Sequence, residues 1–186
     1  MLWQIISSLR LALFTMLVCC VAYPLAIFAF ANGVAPEKAE ASLVRDYRGN
    51  FVGSALIAQS FSSPKYFWPR PSAVDYNASA AGGSNLSPAN PKLRERAVET
   101  IAKFKLSDGA KIPADLVAAS GSGLDPHISL ASALLQAERV ASARGLQANA
   151  VIRLIEKTAE RPGGVLSFGS VVNVLLLNLA LDNLRS

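Results

Sequence analysis

The chain lacks most of the residues from which disulfides and zinc sites are built. Its two cysteines, Cys19 and Cys20, are adjacent in an apolar run near the N-terminus, so residues 32–186 contain no cysteine and form no internal disulfide. His127 is the single histidine of the chain. Zinc sites with several His and Cys ligands are therefore excluded, and we predict no metal site.

Common catalytic and nucleotide-binding motifs are also missing. The sequence contains no G-x-x-x-x-G-K-[ST] loop and no G-x-G-x-x-G loop, and no G-x-S-x-G elbow surrounds Ser120 or Ser122. Gly121 and Gly123 in the S-G-S-G segment could present backbone N–H groups to a phosphate, but the pattern alone favours a tight turn. We predict that the chain is not an enzyme.

The basic surplus does not indicate nucleic-acid binding. The chain has 18 Lys and Arg against 13 Asp and Glu, a net charge of +5. These residues form no run of five or more basic side chains, and no aromatics alternate with them. Nucleic-acid-binding surfaces usually cluster their positive charge, so a nucleic-acid partner is not predicted.

The most pronounced feature that is present is an uncharged, mostly apolar run of 21 residues at 11–31. As a helix it would extend about 31 Å, which matches a hydrocarbon core of about 30 Å. The alternative is a cleaved signal peptide, because Ala29, Phe30 and Ala31 form an A-x-A pattern. The apolar part of a signal peptide is usually about 7 to 15 residues long, so we predict a retained transmembrane helix that places the chain in the lipid bilayer.

Charges beside this run indicate its orientation. Arg10 is the only charged side chain before it, whereas Glu37, Lys38 and Glu40 follow it. Because positive flanking charge favours the cytoplasmic side, the pattern predicts a single-pass protein with an extracytoplasmic domain. The predicted organisation is a short tail (1–10), a transmembrane anchor helix (11–31), a juxtamembrane connection (32–50) and one soluble α+β domain (51–186).

Within the domain the sequence predicts a mixture of short strands and helices. Residues 51–61 carry β-branched and aromatic side chains typical of a short strand or two. One helix is predicted to begin at Asn90, where a capping residue precedes proline. A second is predicted from Ser129 to a terminating Gly145, and a third from about Asn149. The fold class is therefore α+β.

The uncharged stretch at 165–181 is predicted to be a core helix and not a second membrane span. Asn173 and Asn178 interrupt it, and a buried side-chain amide needs a hydrogen-bond partner. These two residues and the following Asp182 could be satisfied inside the domain or at an interface, and the sequence leaves both open.

A loop rich in proline and glycine at 64–91 carries an aromatic cluster. Tyr66, Phe67 and Trp68 are followed by Arg70. Aromatic residues and arginine dominate the energetics of protein interfaces, so the cluster could dock a partner. It could equally fill the core of its own domain.

Five segments in sequence order resemble the signature blocks of the KdpC family, the C subunits of the Kdp potassium-transporting P-type ATPases of bacteria and archaea. They are YFWPRPSAVDYN at 66–77, GGSNLSPANP at 82–91, PADLVAASGSGLDPHIS at 113–129, QAERVASARGL at 136–146 and VNVLLLNLALD at 172–182.

The resemblance implies an inner-membrane complex for high-affinity, ATP-driven potassium uptake. In it a channel-like subunit selects potassium, a P-type subunit hydrolyses ATP, and a small single-span subunit stabilises their assembly. We expect this chain to be that small subunit. We predict that its partner interface includes Tyr66, Phe67, Trp68, Arg70, Asn85, Asp125 and His127. Small residues on the anchor would permit close helix packing, namely Ala22, Ala26 and Ala29.

The resemblance also implies an alternative, a catalytic chaperone that raises the ATP affinity of the P-type subunit through a ternary complex with nucleotide. That role would bring the S-G-S-G segment and one glutamine near the phosphates, namely Ser120, Gly121, Ser122, Gly123 and Gln136. ATP would then be bound only through the complex. An extracytoplasmic domain cannot contact cytosolic ATP, so the predicted orientation favours the assembly role.

Overall fold

The computed structural model describes residues 1–106, 111–167 and 169–184, and it divides into two compact units, Met1–Leu43 and Val44–Ser186. The first unit contains an apolar helix, and the second contains helices and short antiparallel strands. The predicted fold class, α+β with a single N-terminal apolar helix, is confirmed.

A single continuous helical segment, Leu2–Val34, makes up most of the first unit. Its length and composition suffice to cross a membrane, and none of its residues is buried within the chain. It is composed of α1 (Leu2–Met16), a π-helical turn (Leu17–Ala22) and α2 (Tyr23–Val34).

The π-helical turn has a local cause. The N–H of Tyr23 donates to the carbonyl of Val18, five residues earlier. Pro24 follows immediately, and its ring would clash with the carbonyl four residues before it in a regular α-helix. The wider turn relieves that clash without ending the helix.

A short connection and a two-stranded sheet follow the apolar helix. The connection contains α3 (Pro36–Ala39), and the sheet pairs β1 (Leu43–Arg45) with β2 (Phe51–Ser54). Strand β2 corresponds to the strand predicted at 51–61, of which only the first four residues are extended.

A second antiparallel sheet organises the domain core. It pairs Ile128 with Val172, both almost fully buried, and each of its strands leads directly into a helix. Ser129 caps the first helix by accepting from the Ser132 N–H, and Asn173 caps the second by accepting from the Leu176 N–H. The elements are β3 (His127–Ser129), α5 (Leu130–Arg144), β4 (Val171–Asn173) and α7 (Val174–Asp182).

The C-terminal stretch differs from its prediction. Helix α7 is buried as expected, but it begins only at Val174. Before it lie a 3-10 turn (Gly164–Leu166) and strand β4. Pairing with β3 satisfies the backbone of residues 171–173, and Asn173 then serves as a helix cap instead of an interior helical residue.

The remaining helices begin and end where the sequence indicated. Asn90 caps α4 (Pro91–Phe104) by accepting from the Lys92 N–H at 3.0 Å. Gly145, with a φ of 67°, ends α5, and α6 (Ala148–Thr158) follows it. Helix α5 packs against α6, and α6 packs against α7. The buried core is formed by Phe67, Leu116, Ile128, Ala133, Ala137, Val140, Ala141, Val151, Ile155, Val172, Val174, Leu177 and Leu181.

Candidate functional site

Residues 64–68, which we call the strap, cross α5 and α7 without forming a helix or strand. Each backbone carbonyl from Pro64 to Trp68 accepts a hydrogen bond from a side chain of α5 or α7. The donor side chains are Gln136, Arg139, Arg144 and Asn178. An irregular segment rich in aromatic residues is thereby held in one conformation.

Two buried amides pair with consecutive strap residues. Asn178 accepts from the Phe67 N–H at 2.8 Å and donates to the Phe67 carbonyl at 3.1 Å. Gln136 does the same for Trp68, at 2.8 Å and 3.1 Å. Each amide thus replaces the partner residue of an antiparallel strand, which exchanges the same two bonds. The buried backbone of the strap is satisfied without a sheet.

Arg139 reinforces the same segment from α5. Its guanidinium donates to the Pro64 carbonyl at 2.7 Å and to the Tyr66 carbonyl at 3.1 Å. It also donates to Gln136 Oε1 at 2.7 Å and lies 3.8 Å from the centre of the Trp68 ring. Burial lowers the pKa of Arg139 to about 10, so the group remains protonated at neutral pH.

Arg144 joins the strap to the end of α7. Its Nε donates to the Lys65 carbonyl at 2.7 Å, and its Nη2 pairs with Asp182 Oδ1 at 2.7 Å. The Tyr66 hydroxyl donates to the other oxygen of Asp182 at 3.3 Å, and the guanidinium of Arg144 lies over the Tyr66 ring at 4.8 Å. The strap, α5 and α7 therefore meet at the carboxylate of Asp182.

The predicted aromatic cluster is divided between the core and the surface. Phe67 is fully buried, whereas Tyr66 and Trp68 are half-buried. The Trp68 ring packs on Phe104 with 5.4 Å between ring centres. Together they form one side of an open cleft of about 500 Å³ whose lining also includes Phe61, Pro71, Tyr76 and Lys103.

Three of the predicted interface residues form a charged group. Arg70 Nη1 pairs with Asp125 Oδ2 at 2.9 Å, and His127 Nδ1 lies 3.4 Å from Asp125 Oδ1. The hydrogen bond from the His127 side chain, together with its backbone N–H and Arg70, lowers the pKa of Asp125 to about 2 against the opposing effect of burial. Asp125 is therefore ionised at any physiological pH.

The segment 120–123, which we call the glycine turn, is hydrogen-bonded within itself and to other loop residues of the domain. The buried Ser120 hydroxyl accepts from the Gly123 N–H at 3.1 Å, and the Ser120 N–H donates to the Pro71 carbonyl at 2.9 Å. The Ser122 carbonyl accepts from the Gly82 N–H at 2.7 Å. These bonds make the segment a tight turn that is fastened to residues 71 and 82.

The two glycines of this turn have different surroundings. Gly123 has a φ of 71°, and a methyl group there would lie 2.5 Å from the Val74 side chain and 2.8 Å from the Gly82 carbonyl. Gly121 is exposed, and a methyl group there would meet no atom within 4 Å. Only Gly123 is therefore required by packing and by backbone conformation.

The remaining predicted residues lie apart from these clusters. Asn85 is exposed, with a left-handed φ of 50°. Ala22, Ala26 and Ala29 lie on the exposed apolar helix of the first unit. Gln136 is engaged by Trp68 and by Arg139, not by the glycine turn.

Asn173 and Asn178, which the sequence left between an internal and an interface role, are both satisfied inside the chain. Asn173 Nδ2 donates to the Ala55 carbonyl at 2.8 Å, and Asn178 holds Phe67. The arginines at 139 and 144 were missed because surface arginines on a helix carry no signal in a single sequence. Only their positions, three or eight residues from Gln136 on the same helix, suggest a shared face.

Nearly the whole chain is similar in sequence to known proteins. One family model, described as KdpC, K+-transporting ATPase, c chain, matches residues 5–183. A potassium-transporting ATPase KdpC subunit of Parvibaculum lavamentivorans is 49% identical over 181 residues, 97% of each chain. The subunit of the same name from Geobacter sulfurreducens is 50% identical over 96% of each chain. That from Gloeobacter violaceus is 44% identical over 99% of this chain and 98% of its own.

Proposed function

The chain belongs to the KdpC family, and from this membership we propose that it is the membrane-anchored accessory subunit of an ATP-driven potassium uptake complex. The observation that carries the proposal is the family match over residues 5–183, which includes both the apolar helix and the folded domain. The named relatives are subunits of potassium-transporting ATPases.

The proposed partners are a channel-like potassium-binding subunit and a P-type ATPase subunit, which this chain would hold together. An exposed apolar helix supports this role because it offers a surface to other helices in the bilayer. Ala22, Ala26 and Ala29 recur at helical spacing and would allow close approach. In the domain, the rigidly held strap would present Tyr66 and Trp68 at a defined position.

Assembly can be tested in the membrane helix. We expect the double variant Ala22→Leu, Ala26→Leu to reduce co-purification of the other subunits several-fold, because larger side chains separate close-packed helices. Phe28→Leu, about 200° around the helix from Ala26, is the control and should assemble normally. Normal assembly of the double variant would remove these alanines from the proposed interface.

We propose that the complex lies in the bacterial inner membrane, with the N-terminus of this chain in the cytoplasm and the domain outside. The support is the charge distribution, with Arg10 near the N-terminal end of the apolar helix, just before its uncharged run at 11–31, and with Glu37, Lys38 and Glu40 after the helix.

The second candidate function is a direct contribution to nucleotide binding by the P-type subunit. The observation that favours it is the exposure of Gly121 and Ser122 at the tip of the glycine turn. The N–H groups of Ser120 and Gly123 are already used within the fold, so only the tip could contact a phosphate. This candidate requires the domain to face the cytoplasm.

Thiol labelling in intact cells separates the two candidates. Cys19 and Cys20 would be replaced by Ala, and Ala118, an exposed residue near the glycine turn, by Cys. We expect a membrane-impermeant reagent to label Cys at this position before lysis. Labelling only after lysis, in an assembled complex, would reverse the orientation and make the nucleotide role the leading one.

A further inference from the structure

The hairpin of β1 and β2, residues 43–56, exposes large apolar side chains on a folded domain. Tyr47 is 71% exposed, Phe51 57% and Leu56 61%. Val44 and Val52, which alternate with the exposed positions, are partly buried. The hairpin thus has an inner face that packs on its own domain and an outer surface that carries aromatic residues.

Both exposed aromatic rings are paired with arginines. The guanidinium of Arg45 lies 3.5 Å from the centre of the Phe51 ring, and its Nη1 donates to the Gly49 carbonyl at 2.7 Å. The guanidinium of Arg48 lies 5.1 Å from the Tyr47 ring, and its Nε donates to the Tyr47 hydroxyl at 2.8 Å. A guanidinium carries more N–H donors than the one that each of these bonds uses. Both arginines therefore retain donors for an anionic group.

The acidic residue of the hairpin is occupied by the turn itself. One Asp46 carboxylate oxygen accepts from the Arg48 N–H at 2.8 Å and from the Asn50 N–H at 2.9 Å. The other accepts from the Asn50 side chain at 3.2 Å. The outer surface therefore combines two arginines with two aromatic rings, while its one carboxylate serves the backbone of the turn.

Only the eight residues 35–42 separate the apolar helix from the hairpin in the chain. That helix ends at Val34, and β1 begins at Leu43, the last residue of the same compact unit, while the rest of the hairpin belongs to the second unit. The intervening residues are folded, with α3 at 36–39 and a bond from the Ser42 N–H to the Glu37 carbonyl. Such a connection is far shorter than an extended chain of the same length, so a membrane-spanning helix would keep the hairpin near the headgroups.

We propose that the hairpin is a membrane-interface element, with the Tyr47 and Phe51 rings at the level of the lipid headgroups and with Arg45 and Arg48 contacting lipid phosphates. The amphipathic ring of tyrosine is enriched at this depth, and phenylalanine is common on the apolar face of elements that lie in the interface. Arginine binds phosphate with several donors at once. The proposal rests on the proposed function, because it requires the apolar helix to span the bilayer.

Depth-dependent fluorescence quenching tests the proposal in the assembled complex. The complex, with Cys19 and Cys20 replaced by Ala, would be placed in nanodiscs of phosphatidylethanolamine and phosphatidylglycerol. Separate Tyr47→Cys, Leu166→Cys and Ala12→Cys variants would carry an environment-sensitive label. Leu166, which is 84% exposed, is the control on the domain, and Ala12 is the control in the helix.

We expect headgroup spin labels to quench the Tyr47 position at least twofold more than the Leu166 position, and mid-chain spin labels to quench the Ala12 position. Equal quenching at Tyr47 and Leu166, with Ala12 still quenched, would overturn the hairpin proposal and leave the anchor intact. Loss of quenching at Ala12 would overturn the anchor itself. Protection of the Tyr47 label from both lipid spin labels and aqueous iodide would show a protein partner there and would also overturn the proposal.

A second variant set keeps the aromatic rings and tests the arginines. With the label on Leu56→Cys, we expect Arg45→Gln, Arg48→Gln to reduce headgroup quenching about twofold. Arg153→Gln, an exposed arginine on α6, should leave it unchanged. Unchanged quenching in the double variant would remove the arginine–phosphate contacts from the proposal.

Discussion

The strap and the glycine turn are both irregular segments held in one conformation, but they are held by different groups. The strap, residues 64–68, is hydrogen-bonded by side chains of α5 and α7, and these bonds join residues that are 68 to 116 positions apart in sequence. The glycine turn, residues 120–123, is bonded mainly by its own hydroxyls and by the backbone of residues 71 and 82. Helix side chains hold the strap, whereas the hydroxyls of the glycine turn and the backbone of two distant loop residues hold the turn.

The difference determines what a substitution does in each region. In the strap, removal of a helix side chain leaves buried backbone groups without partners, although the strap sequence itself is unchanged. In the glycine turn, the added volume of one methyl group at Gly123 is enough to disturb the backbone. Variants in the two regions should therefore lose stability for different reasons, and matched control variants can distinguish the two causes.

The largest effect is expected at Asn178. Replacement by Leu leaves the N–H and the carbonyl of Phe67 unsatisfied in a buried position. Each unsatisfied group costs about 1–3 kcal/mol, so we expect the two together to lower the free energy of unfolding by about 2–6 kcal/mol. Urea denaturation of the full chain in detergent would measure it.

The control for this variant is Asn183→Leu, because Asn183 is exposed just beyond α7. We expect it to change stability by less than about 0.5 kcal/mol. Equal losses in the two variants would mean that the amide pairing with the strap contributes nothing beyond the general cost of an added leucine.

The two glycines of the turn provide the next comparison. Gly123→Ala forces a methyl group against Val74 in a left-handed conformation, and we expect a loss of about 1–3 kcal/mol. Gly121→Ala adds the same methyl group in open space and should cost less than about 0.5 kcal/mol. Thermal unfolding of both variants would measure the difference, and similar melting temperatures would contradict the packing argument.

The same pair of variants also sharpens the functional alternatives. Because Gly121→Ala should fold normally, a fall in ATP affinity of the assembled complex in this variant would support the nucleotide role. A fall in ATP affinity that occurs only in Gly123→Ala would be explained by the disturbed fold of the domain and would not support the nucleotide role.

Arg139 tests whether the strap needs a fork-shaped donor or only a positive charge. Arg139→Lys retains the charge but loses the simultaneous bonds to the Pro64 and Tyr66 carbonyls and the stacking on Trp68. We expect a loss of about 1–2 kcal/mol in urea denaturation. Arg153→Lys, on the exposed side of α6, should be neutral, and equal behaviour of the two variants would show that charge alone suffices.

Local sequence signals predicted the helices of the domain well. Asn90, Ser129 and Gly145 mark real helix boundaries because caps and left-handed termini depend on one or two neighbouring residues. The short strands β3 and β4 were missed because three-residue strands carry little periodicity and exist through pairing with each other. The start of α7 was misplaced for the same reason.

The contacts of the strap could not be predicted to the same degree. The sequence indicated that Asn178 needs a partner, but Phe67, its partner, is 111 residues away. The aromatic cluster could be recognised, whereas its division between the buried Phe67 and the half-buried Tyr66 and Trp68 depends on how the strap crosses α5 and α7. Long-range polar contacts of this kind leave no pattern in a single chain.

The smallest expected effect joins the two regions through the bond from Arg70, which follows the strap, to Asp125, which follows the glycine turn. The His127 hydrogen bonds and Arg70 hold the pKa of Asp125 at about 2, below its usual value near 4. A lowered carboxylate pKa stabilises the fold above about pH 4, and this contribution is lost as the pH falls through 2.

Asp125→Asn should therefore cost about 1 kcal/mol at pH 7, after allowance for the partial exposure of the pair, and the difference from the parent should shrink between pH 4 and pH 2. Urea denaturation at several pH values would measure it, with the exposed Asp75→Asn as the control. If the free energies of unfolding of the parent and of Asp125→Asn differ by the same amount down to pH 2, the carboxylate does not couple the strap to the glycine turn. If the two free energies converge as the pH falls, the strap and the glycine turn share one charged contact, and acid should destabilise both regions together.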